Sequence, residues 1–183
     1  MSAPTEPCIE RIETARLKLE PFSEAFLTER YVGWLNDKRV TAHSEQRHKT
    51  HTLGSCRAFF EGMLAAGNYF WAITVKDDSA LGHIGNITAY IDSPNYVADL
   101  TILIGEPAAW GRGFGAEAWI AVCDWLFANT AIRKITAGTM ATNTGMIAIM
   151  KKAGMIEEGR KKRQFVQDGR EVDGVYAALF KKD

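Results

Sequence analysis

The segment Trp110-Gly111-Arg112-Gly113-Phe114-Gly115-Ala116-Glu117-Ala118 holds three glycines in five residues, between a strand-like run and a helix-like run. Glycines let backbone amides approach a ligand, and a helix N-terminus adds about half a positive charge. Together these make an anion cradle suited to a pyrophosphate; the bland alternative is a tight strand-to-helix turn with no ligand. Spacing excludes two nucleotide loops. No GxxxxGK[ST] sequence is present, and the GxGxxG fingerprint fails because the third glycine falls at 115 rather than 116. Upstream, His83 lies in Leu81-Gly82-His83-Ile84-Gly85-Asn86 and Asp99 in Val97-Ala98-Asp99-Leu100. An imidazole can take a proton near neutral pH. His43, His48 and His51 match no zinc spacing and have no cysteine beside them, so no metal is expected.

The elements that must position these groups follow from pattern. Arg16 to Glu20 alternates like a half-buried strand. Pro21 and Ser23 stop it, and Ser23 is placed to cap a helix from Glu24 that buries Phe26, Leu27, Tyr31, Trp34 and Leu35. Residues 36 to 52 read as an irregular loop, followed by a helix over 55 to 65 ended by Gly67-Asn68. Strands are expected over 69–75, 81–91 and 97–104, joined by short turns as an antiparallel meander. After the glycine segment come a helix to about Asn129, a strand over 133–140 and a helix over 144–152 ended by Gly154. Two strands around Asp168-Gly169 close the chain. The sum is an α+β fold with a mixed, mostly antiparallel sheet of about seven strands and about four helices.

The chain's 183 residues suit one domain over 11–183 behind a loose leader over 1–10. With 46% hydrophobic and 24% charged residues, disorder is excluded as the main state. Lys+Arg and Asp+Glu both number 22, which argues against a non-specific nucleic-acid binder. Arg160-Lys161-Lys162-Arg163 is a short basic run, read as a solvated strand edge before an RNA or acidic-partner contact. Cys8, Cys56 and Cys123 form no CxxC pair, which fits a reducing cytoplasm. No apolar window reaches the ~18 residues of a membrane span.

The glycine segment resembles the pyrophosphate loop [QR]xxGx[GA] of the GNAT N-acetyltransferase superfamily, with Trp110 in place of Gln or Arg. WG[KR]GxxxEA is similar to the RimJ/RimL-like branch. Thr14-Ala15-Arg16-Leu17-Lys18-Leu19 matches that branch's opening strand, and Trp34-Leu35-Asn36-Asp37 its WLND helix end. Asn143, Lys152, Gly154 and Met155 represent a further block, so the resemblance spans about residues 12 to 180. It implies acetyl-CoA as co-substrate and a primary amine as acceptor: a protein N-terminus, an amine metabolite or an amino sugar. It implies a strand that splays from its neighbour, with amides near Ile102, Leu103 and Ile104 holding thioester and pantetheine. Amides from Gly111 to Ala116 would hold the pyrophosphate, with Trp110, Arg112, Asn143 and Lys152 in the same binding set. Asn143 also reads as a helix N-cap, and Arg112 as a solvated side chain.

The amine must lose a proton as it attacks the thioester. Asp99 is the first candidate base, because it stands as far before the loop as the family's general-base glutamate does. Asp is one methylene shorter than Glu, which favours a bridging water. His83 is the second candidate, with a satisfied sheet histidine as its alternative. Asn86 and Tyr90 are candidate substrate contacts. Met146 and Met150 occupy the usual Ser and Tyr proton-donor positions, so the acid stays unassigned. That gap also keeps open a non-catalytic acyl-CoA-binding or sensory module on the same fold. Relatives often pair through sheet edges, so a homodimer is a further implication.

Overall fold

The computed structural model describes residues 9–182. Most of the expected leader over 1–10, and Cys8, lie outside the described residues. Among the described residues, eight strands form one sheet: β1 Ile12–Glu13, β2 Leu17–Pro21, β3 Tyr69–Val75, β4 His83–Asp92, β5 Val97–Ile104, β6 Lys134–Met140, β7 Ile156–Gln167 and β8 Arg170–Phe180. Their order across the sheet is β1-β2-β3-β4-β5-β6-β8-β7, and only β5 and β6 run parallel. Five helices accompany them: α1 Glu29–Asn36, α2 Lys38–Thr41, α3 Leu53–Ala65, α4 Phe114–Asn129 and α5 Thr144–Lys152. The architecture is therefore the expected mixed α+β sheet, with one strand and one helix more than the pattern disclosed.

The differences have local causes. The two residues of β1 are too short a run to show alternation. Ser23 makes no side-chain cap; Glu24–Phe26 is only a 3₁₀ turn, and α1 starts after Thr28, whose hydroxyl accepts from the Tyr31 amide at 3.3 Å. Phe26 and Leu27 are consequently half-buried and off the helix, while Tyr31, Trp34 and Leu35 are buried as expected. The 36–52 loop contains α2, capped by Asp37, and a 3₁₀ turn at Glu45–His48. α3 begins at Leu53 because Thr52 and Ser55 exchange the two bonds of a capping box.

β3 is buried on both faces, so alternate residues serve two cores. Tyr69, Trp71 and Ile73 pack toward α4 with Ile87, Leu100, Trp119 and Leu126. Phe70 and Ala72 pack toward α1 and α3 with Phe22, Tyr31, Trp34 and Phe60. Stacking of Phe22 on Phe70, with centroids 4.1 Å apart, joins the end of β2 to that second core.

β4 and β5 pair over eight registers, from Gly85–Ile104 to Asp92–Val97. Gly85 stands where any Cβ would land on the Leu103 carbonyl oxygen of the neighbouring strand. Gly85→Ala is therefore expected to destabilise the fold by about 1–3 kcal/mol, the cost of overpacking against atoms that cannot rotate away. Gly33→Ala is the control: it lies exposed within α1 with nothing within 4 Å, and should stabilise by about 1 kcal/mol. Urea unfolding of the two variants, with unchanged slope, reads both signs.

Candidate functional site

β5 and β6 pair only at Val97–Lys134, Ala98–Ile135 and Asp99–Thr136. Beyond Asp99, β5 stays with β4 and β6 stays with β8, so the two central strands part. Leu103 turns its carbonyl toward β4, where it blocks a Cβ on Gly85. Ile104 turns its carbonyl the other way, to accept the Trp110 indole N–H at 2.8 Å. Strand alternation then puts the edge groups of Ile102 and Ile104 on the open side and those of Leu103 on the β4 side.

A cleft of about 970 Å³ occupies the opening. One half is walled by residues 100–104, Trp110, Gly138 to Met140, Asn143, Met146 and Ile149. The other half lies under α1, α3 and the 38–51 segment, with Asn86, Thr88, Tyr90 and Thr101 on its floor. These four share one face because they stand two apart on adjacent strands. Thr88 and Thr101, directly opposite, share a 2.6 Å hydrogen bond. Asn86 and Tyr90 are the expected substrate contacts; the i, i+2 polar spacing of Asn86-Thr88-Tyr90 is the pattern that would have added Thr88 to them.

The glycine loop lies at the start of α4. Gly111 (φ 71°) and Gly113 (φ 81°) hold left-handed conformations that other residues resist. A Cβ on Gly111 would meet nothing within 4 Å. The first helical bond of α4 runs from the Glu117 amide to the Gly113 carbonyl, so the amides of Phe114, Gly115 and Ala116 have no helical partner. Open space and convergent amides suit a phosphate group. The divided strands suit an extended arm between them.

The loop is held from behind. Glu117 accepts from the Thr14 hydroxyl (2.6 Å), the Arg16 amide (3.0 Å) and Arg16 Nε (2.7 Å). Arg16 Nη1 also donates to the Arg112 carbonyl at 2.9 Å. Burial raises the Glu117 pKa, but the hydrogen bonds outweigh it and hold the carboxyl below its ordinary range. The Arg112 guanidinium lies over the Phe114 ring and 3.6 Å from Asp78.

Asp99 sits where the strands part. Its Oδ1 accepts from the Thr136 hydroxyl at 2.6 Å. Burial raises its pKa above the ordinary Asp value, and the Thr136 bond offsets this only partly. Solvent still reaches the side chain, through a smaller pocket of about 440 Å³ shared with Asn68, Tyr90 and Asp92. Asp99 does not line the main cleft; Tyr90, its cross-strand partner, lines both spaces.

His83 lies outside the cleft lining, between the rings of Phe26 (4.9 Å) and Trp34 (5.0 Å). Its Nε2 is 3.0 Å from the Gly85 carbonyl and 2.9 Å from Asn86 Oδ1. A carbonyl can only accept, so Nε2 carries the proton and Asn86 must present its oxygen to it. The Asn86 amino group is thereby left for the cleft, with no protein acceptor among the described residues. Residues three apart on a strand normally face opposite ways. Here a bulge, at the step from Ile73–Gly85 to Thr74–His83, brings both to one face. Burial lowers the His83 pKa, against the hydrogen bonds to Asn86 and Gly85.

Asn143 caps α5, accepting from the Met146 amide at 3.1 Å and donating to Thr139 at 3.0 Å, while it lines the cleft. Lys152 is exposed at the end of α5, away from the cleft lining. Met146 lines the cleft and Met150 is buried in the α4-side core. Tyr31, read from sequence only as a core residue, lines the cleft as well; burial pushes its phenol pKa up, with Cys56 and Tyr90 adding to the rise. Phe165, from β7, also contributes to the lining and carried no sequence signal. Among the described residues no group of three or more His, Cys, Asp or Glu could hold a metal ion, and no helix is long and apolar enough to cross a membrane.

Residues 16–156 match the model of the acetyltransferase (GNAT) domain family. A GNAT-family acetyltransferase from Bacillus anthracis superposes with a TM-score of 0.78 at 20% identity, over 95% of this chain and 100% of that one. RimL, a ribosomal L7/L12 alpha-N-protein acetyltransferase solved with coenzyme A, gives 0.81 at 14% identity, over 93% and 98%. Spermidine N-acetyltransferase from Vibrio cholerae, solved with CoA and spermine, gives 0.80 at 16% identity, over 92% and 97%. With most of its length matched by that model, the chain belongs to the GNAT acetyltransferase family.

Proposed function

We propose that this protein transfers an acetyl group from acetyl-CoA to a primary amine, with Asp99 as general base acting through a bridging water. The observation that carries the reading is the parting of β5 from β6 at Asp99–Thr136, with a phosphate-suited loop at one end and a polar floor at the other. Bound acetyl-CoA supplies the activated acyl group. The amides of Phe114 to Ala116 would bind its pyrophosphate, and the edge amides of Ile102 and Ile104 would face the thioester oxygen as charge grows there. Trp110 supports this edge by capping the Ile104 carbonyl. Asn143 and Met146 would flank the pantetheine arm.

Asp99 supports the base role by position and by its raised pKa, which makes it a better proton acceptor than an ordinary aspartate. Its Oδ2 makes no bond to protein among the described residues, so a water can sit between it and the amine beside Tyr90. In this reading His83 is a positioning residue that turns the Asn86 amino group toward the acceptor. The buried, free thiols of Cys56 and Cys123 accord with a reducing cytoplasm.

Thermal unfolding across an acetyl-CoA titration comes first. A ligand of the folded state adds about 2.7 kcal/mol at a hundredfold excess over its dissociation constant. A saturable rise is expected, and it should vanish when Gly113 and Gly115 are replaced by valine; no rise at millimolar acetyl-CoA overturns the reading.

Asp99→Asn should lower kcat by about 10²–10⁴-fold and leave the acetyl-CoA stabilisation intact. The acid limb of the pH–rate profile should lie above the ordinary Asp range, because rate is lost as Asp99 is protonated. Thr136→Val removes the bond that lowers the Asp99 pKa, so the limb should move to still higher pH. A limb unmoved in Thr136→Val would remove Asp99 from the reaction.

His83→Phe should raise the KM for the amine without shifting that limb, matching Asn86→Ala. A shifted limb would instead return His83 to proton transfer.

A further inference from the structure

The acceptor half of the cleft carries a charge arrangement that bears on which amine it takes. Besides Tyr31, Cys56 and Tyr90, its titratable lining consists of Arg39, His43, Glu45, Lys49 and His51. Glu45 is the single carboxylate among them, and Arg47 Nη1 balances it with a 2.9 Å contact to one oxygen. Arg47 is itself fixed, donating also to the Ser44 carbonyl (2.9 Å) and the Val166 carbonyl (3.1 Å). Asp37, outside the lining, balances Arg39 in the same way: it accepts from the Arg39 amide (2.8 Å), Nε (3.1 Å) and Nη2 (2.6 Å), which orients the guanidinium and leaves Nη1 to donate. Lys49 has no ion-pair partner among the described residues. Nε2 of His51 is shielded from solvent and has no hydrogen-bond partner there either.

The wall that carries these groups is built rather than loose. The Asn36 side chain accepts from the His51 amide at 2.8 Å and donates to its carbonyl at 2.9 Å. Gln167, at the end of β7, donates to the Ala42 carbonyl at 3.0 Å. The opposite end of the acceptor face, beyond Tyr90, holds two carboxylates, Asp99 and Asp92, in the smaller pocket, where Asp92 also accepts from the amide and side chain of Asn95 (3.3 and 2.8 Å). An amine that gives its reacting nitrogen to Asp99 meets Asp92 only at that same end, and its far end meets Arg39 and Lys49.

We infer that the acceptor is a primary amine that also carries an acidic group, a carboxylate or a phosphate, which Arg39 and Lys49 receive at the mouth of the cleft. This rests on the transferase reading above and names its substrate class. It makes a polyamine a poor acceptor, because its second charge would be directed at like charges.

The test is a matched series on one alkyl chain: pentylamine, and the same chain ending in a second amine, a carboxylate or a phosphate. Each is measured for kcat/KM with acetyl-CoA and for added thermal stabilisation of the CoA-loaded protein. The two acids should exceed the diamine by about tenfold or more, a gap that narrows with added salt. Whichever acid ranks higher identifies the group. Arg39→Glu with Lys49→Glu should reverse the order toward the diamine while the acetyl-CoA stabilisation persists, which shows that the variant is folded. A diamine that equals or outranks the acids overturns the inference, as does a series that fails to separate in either readout while the acetyl-CoA response remains. Loss of the acetyl-CoA response in the unmutated protein would instead overturn the transferase reading itself.

Discussion

Everything in the cleft depends on two strands that stop pairing. A sheet interior normally consumes every backbone donor and acceptor, and an unpaired edge within it is costly. β5 and β6 bear that cost past Asp99 because each is held on its other side, β5 by eight registers to β4 and β6 by seven to β8. Without that double anchoring the strands would close on each other. With it, the edge of β5 at Ile102 and Ile104 is left for a ligand to complete. Trp110 satisfies the Ile104 carbonyl, so the departure from the family's usual Gln or Arg serves the strand edge as well as the loop.

The loop at the other end is set by a second constraint. Amides can converge on an anion only if the backbone around them does not drift. Glu117 supplies that fixity by tying α4 to Thr14 and Arg16, across the break between β1 and β2. Arg16 then returns to the loop through the Arg112 carbonyl and lies over Phe114. The TxRLxL strand and the xxxEA end of the loop motif, about a hundred residues apart in sequence, are thus two halves of one clamp. Their co-occurrence in the sequence has a physical reason here.

That clamp also shows what the sequence could disclose. Glycine spacing, strand alternation and capping residues are local, and they carried the loop, the meander and the start of α5 to nearly the right residues. Cross-strand facts were not local. The face of His83 depends on a bulge that no spacing rule reveals, and Tyr31 looked like any other apolar-face residue of its helix. Thr88 and Thr101 gain meaning only when the β4–β5 register sets them opposite each other. The 38–51 segment read as irregular because its order comes from bonds to distant residues, Val166 and Gln167 among them.

The bulge at His83 joins these themes. A regular β4 would turn His83 and Asn86 to opposite faces. One inserted residue puts the imidazole behind Asn86, where burial keeps it neutral and the Gly85 carbonyl fixes its proton. A neutral, oriented histidine can then dictate the direction of a neighbouring amide without bringing charge to the acceptor floor. That matters where the floor ends at Tyr90, beside Asp99 in the adjoining pocket, and faces Arg39 and Lys49 at the other end. In the proposed reading, a third charge between them would screen the polarity that aligns an acceptor, amine toward Asp99 and acid toward the cations. The strand irregularity therefore serves the electrostatics of the site as much as its shape.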